Sequence, residues 1–235
     1  MIRGISLAAA VAGLALAAAP TASAPARGTA PVQRDWSRTI VATPEGGFRM
    51  GNPAAHVKLV EYGSLTCGHC AQFAQAGMPA LVANHVRTGK VSYEFRNFIL
   101  NGTDVMASLL ARCMPSASFF RFVDRLYATQ PTWIGKVNSL PQSEKERLEA
   151  LPEGQRLAAL ARATGLTAVA AQFGLPAAKA RACLANQAGL DRLNRIAEAA
   201  EGQGVQGTPT FFFNGANIGP QTWATLEPMI RESGG

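Results

Sequence analysis

The chain has 235 residues, of which 48% are hydrophobic and 16% charged, and carries a formal charge of +7. That balance suits one sizeable globular domain, or a domain with an insertion, and excludes a disordered chain. The positive residues are scattered and interleaved with Glu, with no basic block or aromatic–basic motif, so they read as a generally basic surface and not as a nucleic-acid site.

In chain order the first element is an export signal. Met1-Ile2-Arg3 is a short positive start, and Ile5 to Ala19 is an apolar run too short to span a bilayer comfortably. Ala22-Ser23-Ala24 fits the small-residue cleavage pattern, but Pro25 directly after it disfavours that cut, so cleavage after Ala26 competes. An uncleaved anchor is the alternative. No cysteine follows the run to take a bacterial lipid anchor, and no other long apolar stretch occurs. The mature protein is expected to be soluble and periplasmic, in a compartment where disulfides persist.

Residues 25–37 read as a flexible lead-in, followed by a short strand near Arg38–Thr43. Pro44, Gly46, Gly47, Gly51 and Pro53 then predict a turn-rich connection. Val57–Tyr62 is a stronger strand, with Val57, Leu59 and Glu61 alternating with Lys58, Val60 and Tyr62. Behind the pair Cys67-Gly68-His69-Cys70, the spacing of Phe73, Ala74, Met78, Leu81 and Val82 predicts a helix that Pro79 kinks and Gly89 ends. Val91–Ile99 is the next strand.

From about Leu100 to Gly204 the chain is helical in character. Phe119, Phe120, Val123, Leu126 and Tyr127 form one apolar stripe, and Leu190, Leu193, Ile196, Ala197 and Ala200 form another. Breaks fall at Pro115, Pro131, Pro141, Gly165 and Pro176. Ser143 followed by Glu146 predicts a capping box. Strand character returns in Gly207–Gly215, where Asn214-Gly215 suits a hairpin turn into a strand around Ile218. A final helix covers roughly Gln221–Glu232. The order predicts one α/β domain split by a helical insertion.

The cysteine pair admits three chemistries. A structural zinc needs four ligands and this motif supplies two, so Cys113 and Cys183 would have to converge from the helical block; no metal is expected. A structural staple across so small a loop would constrain little. A redox centre has a mechanism: a cysteine at the first turn of a helix faces unpaired N–H groups and the positive end of the helix dipole, which favour its thiolate. Cys70 lies one turn on, and His69 adds a donor or a positive charge. Glu61, six residues before Cys67 with Val57 and Leu59 on its face, is costly there unless it has a partner or a task; a salt-bridged edge residue is the alternative. His56 and His85 read as surface or satisfied structural residues. A structural disulfide is expected between Cys113 and Cys183, with buried free thiols or a second redox relay as alternatives.

On "CGHC" after a strand and opening a helix, on "GTPTFFFNG", and on the helical insertion between them, the sequence resembles the thioredoxin superfamily and within it the DsbA-like extracytoplasmic thiol–disulfide oxidoreductases. The resemblance spans roughly Trp36 to Glu232. It implies a thioredoxin fold interrupted by a helical insertion domain: signal peptide 1–26, N-terminal part 27–99, insertion 100–204, C-terminal part 205–235. It also implies a cis Thr208–Pro209 bond facing the cysteines, where Thr208 and Pro209 bind a substrate chain, and a buried acid, Glu61, that exchanges a proton with Cys70. The implied activity is donation of the Cys67–Cys70 disulfide to reduced exported proteins, with no cofactor, by a monomer that a membrane quinone-linked partner reoxidises. Many DsbA-like members have Pro-His between the cysteines, whereas Gly68-His69 also resembles protein disulfide isomerase. Alternatives are an isomerase or reductase using the same pair, or a substrate-binding holdase with an incidental disulfide.

Overall fold

The computed structural model describes residues 1, 4 and 34–235. The expected signal peptide, its two cleavage positions and the lead-in up to residue 33 lie outside the described residues.

The fold is built on strand β3 (Val57–Gly63), at the centre of a six-stranded sheet among the described residues. It pairs in parallel with β4 (Val91–Asn97) and antiparallel with β5 (Thr210–Phe213). The sheet order is β1-β2-β4-β3-β5-β6, with β1 at Ile40–Ala42, β2 at Phe48–Gly51 and β6 at Ala216–Gly219. A parallel neighbour needs a crossover, and α1 (Gly68–Ala76), α2 (Met78–Ala80) and a wider helical turn (Leu81–Val86) provide it. The second connection, from β4 to β5, is the whole helical block: α3 (Gly102–Arg112), α4 (Ser116–Ala128), α5 (Gln130–Asn138), α6 (Gln142–Glu149), α7 (Glu153–Ala163), α8 (Leu166–Gln172), α9 (Ala177–Leu184) and α10 (Gln187–Gly202). Helix α11 (Trp223–Glu232) closes the chain.

Both sheet faces are covered, which is why β4 is buried almost throughout. On one face the register sets Glu61 beside Phe95 and Phe211, and Leu59 beside Tyr93 and Phe213. This face packs on α1 and α4: Phe73 meets Phe211 edge-on at 4.7 Å, and Phe48 stacks on Phe119 at 3.8 Å. On the other face Tyr62 and Phe212 pack with Ile196, Ala200 and Val205. Each such buried ring contributes about 2–3 kcal/mol.

The stretch expected to be only a turn-rich connection contains β2. Its stabilising partners are distant in sequence: it pairs antiparallel with β4, and Phe48 is fixed by the stack on Phe119. No local period reveals a four-residue strand held in that way. The breaks in the helical block prove to be helix starts. Pro115, Pro141 and Pro176 stand at the N-cap of α4, α6 and α9, where a missing N–H costs nothing. Since α6 begins at Gln142 behind Pro141, Ser143 lies inside the helix and the expected capping box does not form. A capping box does open α11, between Thr222 and Thr225. The Asn214-Gly215 turn between β5 and β6 has φ of 48° and 88°, the left-handed geometry of a tight hairpin turn.

Cys113, at the C-cap of α3, is bonded to Cys183 in α9, 70 residues away. Closing a loop of that length restricts the unfolded chain by about 4 kcal/mol. The double substitution Cys113→Ala/Cys183→Ala is therefore expected to lower unfolding free energy by up to about 4 kcal/mol, read by denaturant titration against the wild type.

Candidate active site

Strand β3 ends at Gly63, and the loop 64–66 delivers Cys67 to the N-cap of α1 with φ −81° and ψ 123°. The Cys67 sulfur accepts the N–H of Cys70 at 3.4 Å, as a capping oxygen does. From across the site its thiol faces the carbonyl of Thr208 at 3.3 Å. The Thr208–Pro209 bond is cis. Interaction with the Cys70 thiol first, then with the N–H groups of Cys70 and His69, holds the Cys67 pKa down at about 5 against the opposing push of burial.

Cys70 is treated oppositely. It is fully buried, and burial pushes its thiol far above the ordinary range, helped by its bond to Cys67 and by the charges on Glu61 and Cys67. Both cysteines are free thiols. The structure therefore brings together a thiol that is 9% exposed and ionises readily and a fully buried one that holds its proton.

Glu61 lies on the central strand and is 2% exposed. Tyr93 donates its hydroxyl to Oε2 at 2.5 Å, and Oε1 has no partner among the described residues. Burial pushes the carboxyl up to about 8, with charge on Cys67 and Asp124 adding to the effect and the Tyr93 bond opposing it. The partner of Glu61 is thus a phenol, not the cation that a salt-bridged edge residue would have. A carboxyl in this state is protonated at neutral pH and can give a proton to a neighbouring thiolate.

His69 is exposed, and it reaches Cys67 through its main-chain N–H. Its side chain lines a cavity of about 410 Å³ together with Phe73, Thr208, Pro209 and Trp223. A larger apolar groove of about 860 Å³ lies between α4 and the crossover, lined by Met78, Val82, Phe120 and Asp124, and neither free cysteine borders it. Among the described residues no three His, Cys, Asp or Glu side chains converge as metal ligands would. No helix among the described residues is long and apolar enough to cross a membrane. His56 is exposed, but His85 is neither a surface residue nor a satisfied one: it is buried in the wide helical turn with both ring nitrogens unpartnered among the described residues.

Sequence reasoning missed the supports of this site. Tyr93 was legible as a strand residue, but its meeting with Glu61 depends on the β3–β4 register. Asp104 and Tyr127 come from the helical block. Asp104 accepts the Ser64 hydroxyl at 2.6 Å and the Leu65 N–H at 3.0 Å, and the Tyr127 hydroxyl donates to the Ser64 carbonyl at 3.1 Å.

Two outcomes follow from this geometry. Glu61 ionises near 4.5 when unfolded and near 8 when folded, so its favourable contribution is complete below the first value and is lost as pH rises through the second. Glu61→Gln, which cannot ionise, should gain stability over the wild type by on the order of a few kcal/mol between pH 4.5 and 8, measured by denaturant unfolding of the reduced proteins. At Gly68, a Cβ would meet nothing within 4 Å, the preceding Cys67 is extended, and the Gly68 N–H is not among the groups acting on the sulfur. Gly68→Pro at this first helical position should add about 0.4–1 kcal/mol of stability and move the Cys67 titration by less than about half a pH unit, read by thiolate absorbance.

Comparison with known proteins agrees with this geometry. A family profile described as "Thioredoxin" matches residues 43–232. A Rickettsia typhi protein bearing the name of a protein-disulfide oxidoreductase is 39% identical over 85 residues, 36% of this chain and 32% of its own length. A Rickettsia conorii protein of the same name is 28% identical over 187 residues, 77% of this chain and 58% of its own. The matches thus span less than two thirds of these relatives. The crystal structure of a protein-disulfide isomerase from Novosphingobium aromaticivorans aligns with a TM-score of 0.72 at 31% identity, covering 78% of this chain and 95% of the other. Wolbachia pipientis alpha-DsbA1 shares the fold, with a TM-score of 0.64 at 22% identity over 79% and 90% of the two chains. With a profile match over most of its length, and a CGHC pair between a central strand and the helix it caps, this chain belongs to the thioredoxin family.

Proposed function

We propose that this protein is a thiol–disulfide oxidoreductase that donates the Cys67–Cys70 disulfide to reduced exported proteins. The observation that carries the reading is the opposed treatment of the two thiols: Cys67 is held down at about 5 while Cys70 is pushed far up. A stabilised Cys67 thiolate stabilises the reduced enzyme, which makes the disulfide a stronger oxidant.

In the proposed sequence a substrate thiolate attacks the Cys67 sulfur. The Cys67–Cys70 bond breaks, a mixed disulfide forms on Cys67, and Cys70 leaves as a thiolate. Burial makes that charge costly, and the Glu61 carboxyl supplies a proton to Cys70. A second substrate thiolate then attacks the substrate sulfur of the mixed disulfide and expels Cys67, the better leaving thiolate because its pKa is low. The substrate ends oxidised, the enzyme holds a Cys67 thiolate and a Cys70 thiol, and Glu61 regains a proton from solvent, which took up the protons the two substrate thiols lost. Thr208 and Pro209 line the face where the substrate chain lies, its backbone pairing as an added strand, and the cavity beside His69 takes an apolar side chain. Reoxidation by a membrane quinone-linked partner, action as a monomer and a periplasmic location complete the reading; they rest on the family resemblance and the export signal.

An isomerase role is the second reading, favoured by the CGHC pair and by the name of the Novosphingobium aromaticivorans protein. The reduction potential separates the two. The donor reading expects a value near the strong oxidants, about −120 mV; a value about −180 mV favours isomerisation, and about −270 mV favours a reductase. Cys70→Ser is expected to trap mixed disulfides when its Cys67 thiolate attacks a disulfide of an oxidised, scrambled test protein and expels that protein's other sulfur as a thiolate. Cys67→Ser is expected to abolish oxidation of a reduced test protein. Oxidation persisting in Cys67→Ser defeats the assignment of Cys67, and failure to trap any adduct points to a binding role.

A further inference from the structure

The loop that carries Cys67 from β3 into α1 takes much of its support from side chains of the helical block. Ser64 and Leu65 are held by Asp104 and Tyr127 as described above, and Asn101 donates to the Thr66 hydroxyl at 3.0 Å. The remaining support is Gln130, the first residue of α5, which is 6% exposed. Its side-chain amide nitrogen donates to the Leu65 carbonyl at 2.9 Å and to the Cys67 carbonyl at 3.0 Å. Both N–H groups of that nitrogen are therefore spent on the two carbonyls flanking Thr66.

The Cys67 carbonyl also accepts the N–H of Ala71 at 3.1 Å, the first hydrogen bond of α1. This carbonyl belongs to the same rigid peptide unit as the Gly68 N–H. Its rotation is the ψ of Cys67, so holding the oxygen sets the direction in which α1 leaves the Cys67 side chain. That direction decides whether the N–H groups of His69 and Cys70 aim at the sulfur. At the corner between α4 and α5, the Trp133 indole N–H donates to the Leu126 carbonyl at 2.9 Å and braces the helix that presents Gln130.

We propose that Gln130 is a positioning residue for Cys67: by holding the Leu65 and Cys67 carbonyls on one amide nitrogen, it fixes the Cys67 peptide unit and so the aim of the first-turn N–H groups at the sulfur. The insertion thereby tunes the cysteine chemistry as well as covering it. This role for Gln130 rests on the oxidoreductase reading in that Cys67 is taken as the exchanging thiol.

Gln130→Met keeps the length and removes both donors. Gln130→Glu keeps the shape and sets a carboxylate against two carbonyl oxygens, an uncompensated buried charge. In reduced Gln130→Met the thiolate absorbance titration of Cys67 is expected to move up by about one pH unit, and the equilibrium with glutathione to shift about tenfold toward the oxidised enzyme, a fall in potential of about 30 mV. Gln130→Glu is expected to move both further in the same direction; if it does not fold, the methionine variant decides. Leu157→Ala, in the buried face of α7, is the control: it loosens the block and lowers the melting temperature without moving the titration. If Gln130→Met melts lower but titrates and equilibrates as the wild type does, Gln130 is merely structural and the proposal is overturned. If the wild type exchanges no thiols at all, the oxidoreductase reading fails instead, and the Cys67 titration still decides the role of Gln130.

Discussion

At the start of α1 a sulfur stands where a helix ordinarily has a capping oxygen. The first turn of a helix leaves N–H groups without intrahelical partners, and a negative charge beside them is stabilised by those donors and by the helix dipole. Cys67 occupies that position, and its sulfur accepts the Cys70 N–H. The rest of the architecture serves this contact. The central strand sets where the helix begins, the crossover gives it length, and the loop bearing Thr208 closes the opposite side.

The second constraint is that Cys70 cannot share the environment of Cys67. One helical turn inward it is sealed from solvent among apolar side chains, where a thiolate is costly. In the proposed exchange an incoming thiolate does best at Cys67, because Cys70 then leaves into a site that holds a protonated carboxyl. Glu61 fits that task because the sheet interior keeps its proton on, while the Tyr93 hydroxyl fixes one oxygen and leaves the other free among the described residues.

The helical block is more than a cover. Asp104, Tyr127 and Gln130 supply hydrogen bonds to the backbone of the loop before Cys67, a segment that neither helix nor strand satisfies. Buried backbone groups must find partners. Here they find them on residues that lie 39 or more positions away in sequence. These particular hydrogen bonds hold the loop that carries the cysteine, and the bond between Cys113 and Cys183 ties two helices of the same block.

Much of this was legible from residue order. The alternation in Val57–Tyr62, the β-branched and aromatic run after Val91, the Asn214-Gly215 turn and the amphipathic stripes of the helical block follow from local periodicity, which a chain carries wherever it folds. The CGHC pair after a strand and before a helical run already specified an N-terminal helical cysteine, because that depends only on neighbours in sequence. What tertiary structure alone decided were the contacts that span the chain: strand β2, held by β4 and by the Phe48–Phe119 stack; the Tyr93 partner of Glu61, set by strand register; the burial of His85 without a hydrogen-bond partner among the described residues; and the anchoring of the cysteine loop by Asp104, Tyr127 and Gln130. The division has one physical reason. Periodicity and turn chemistry are properties of a segment, whereas a hydrogen bond between distant residues exists only once folding has brought its two ends together.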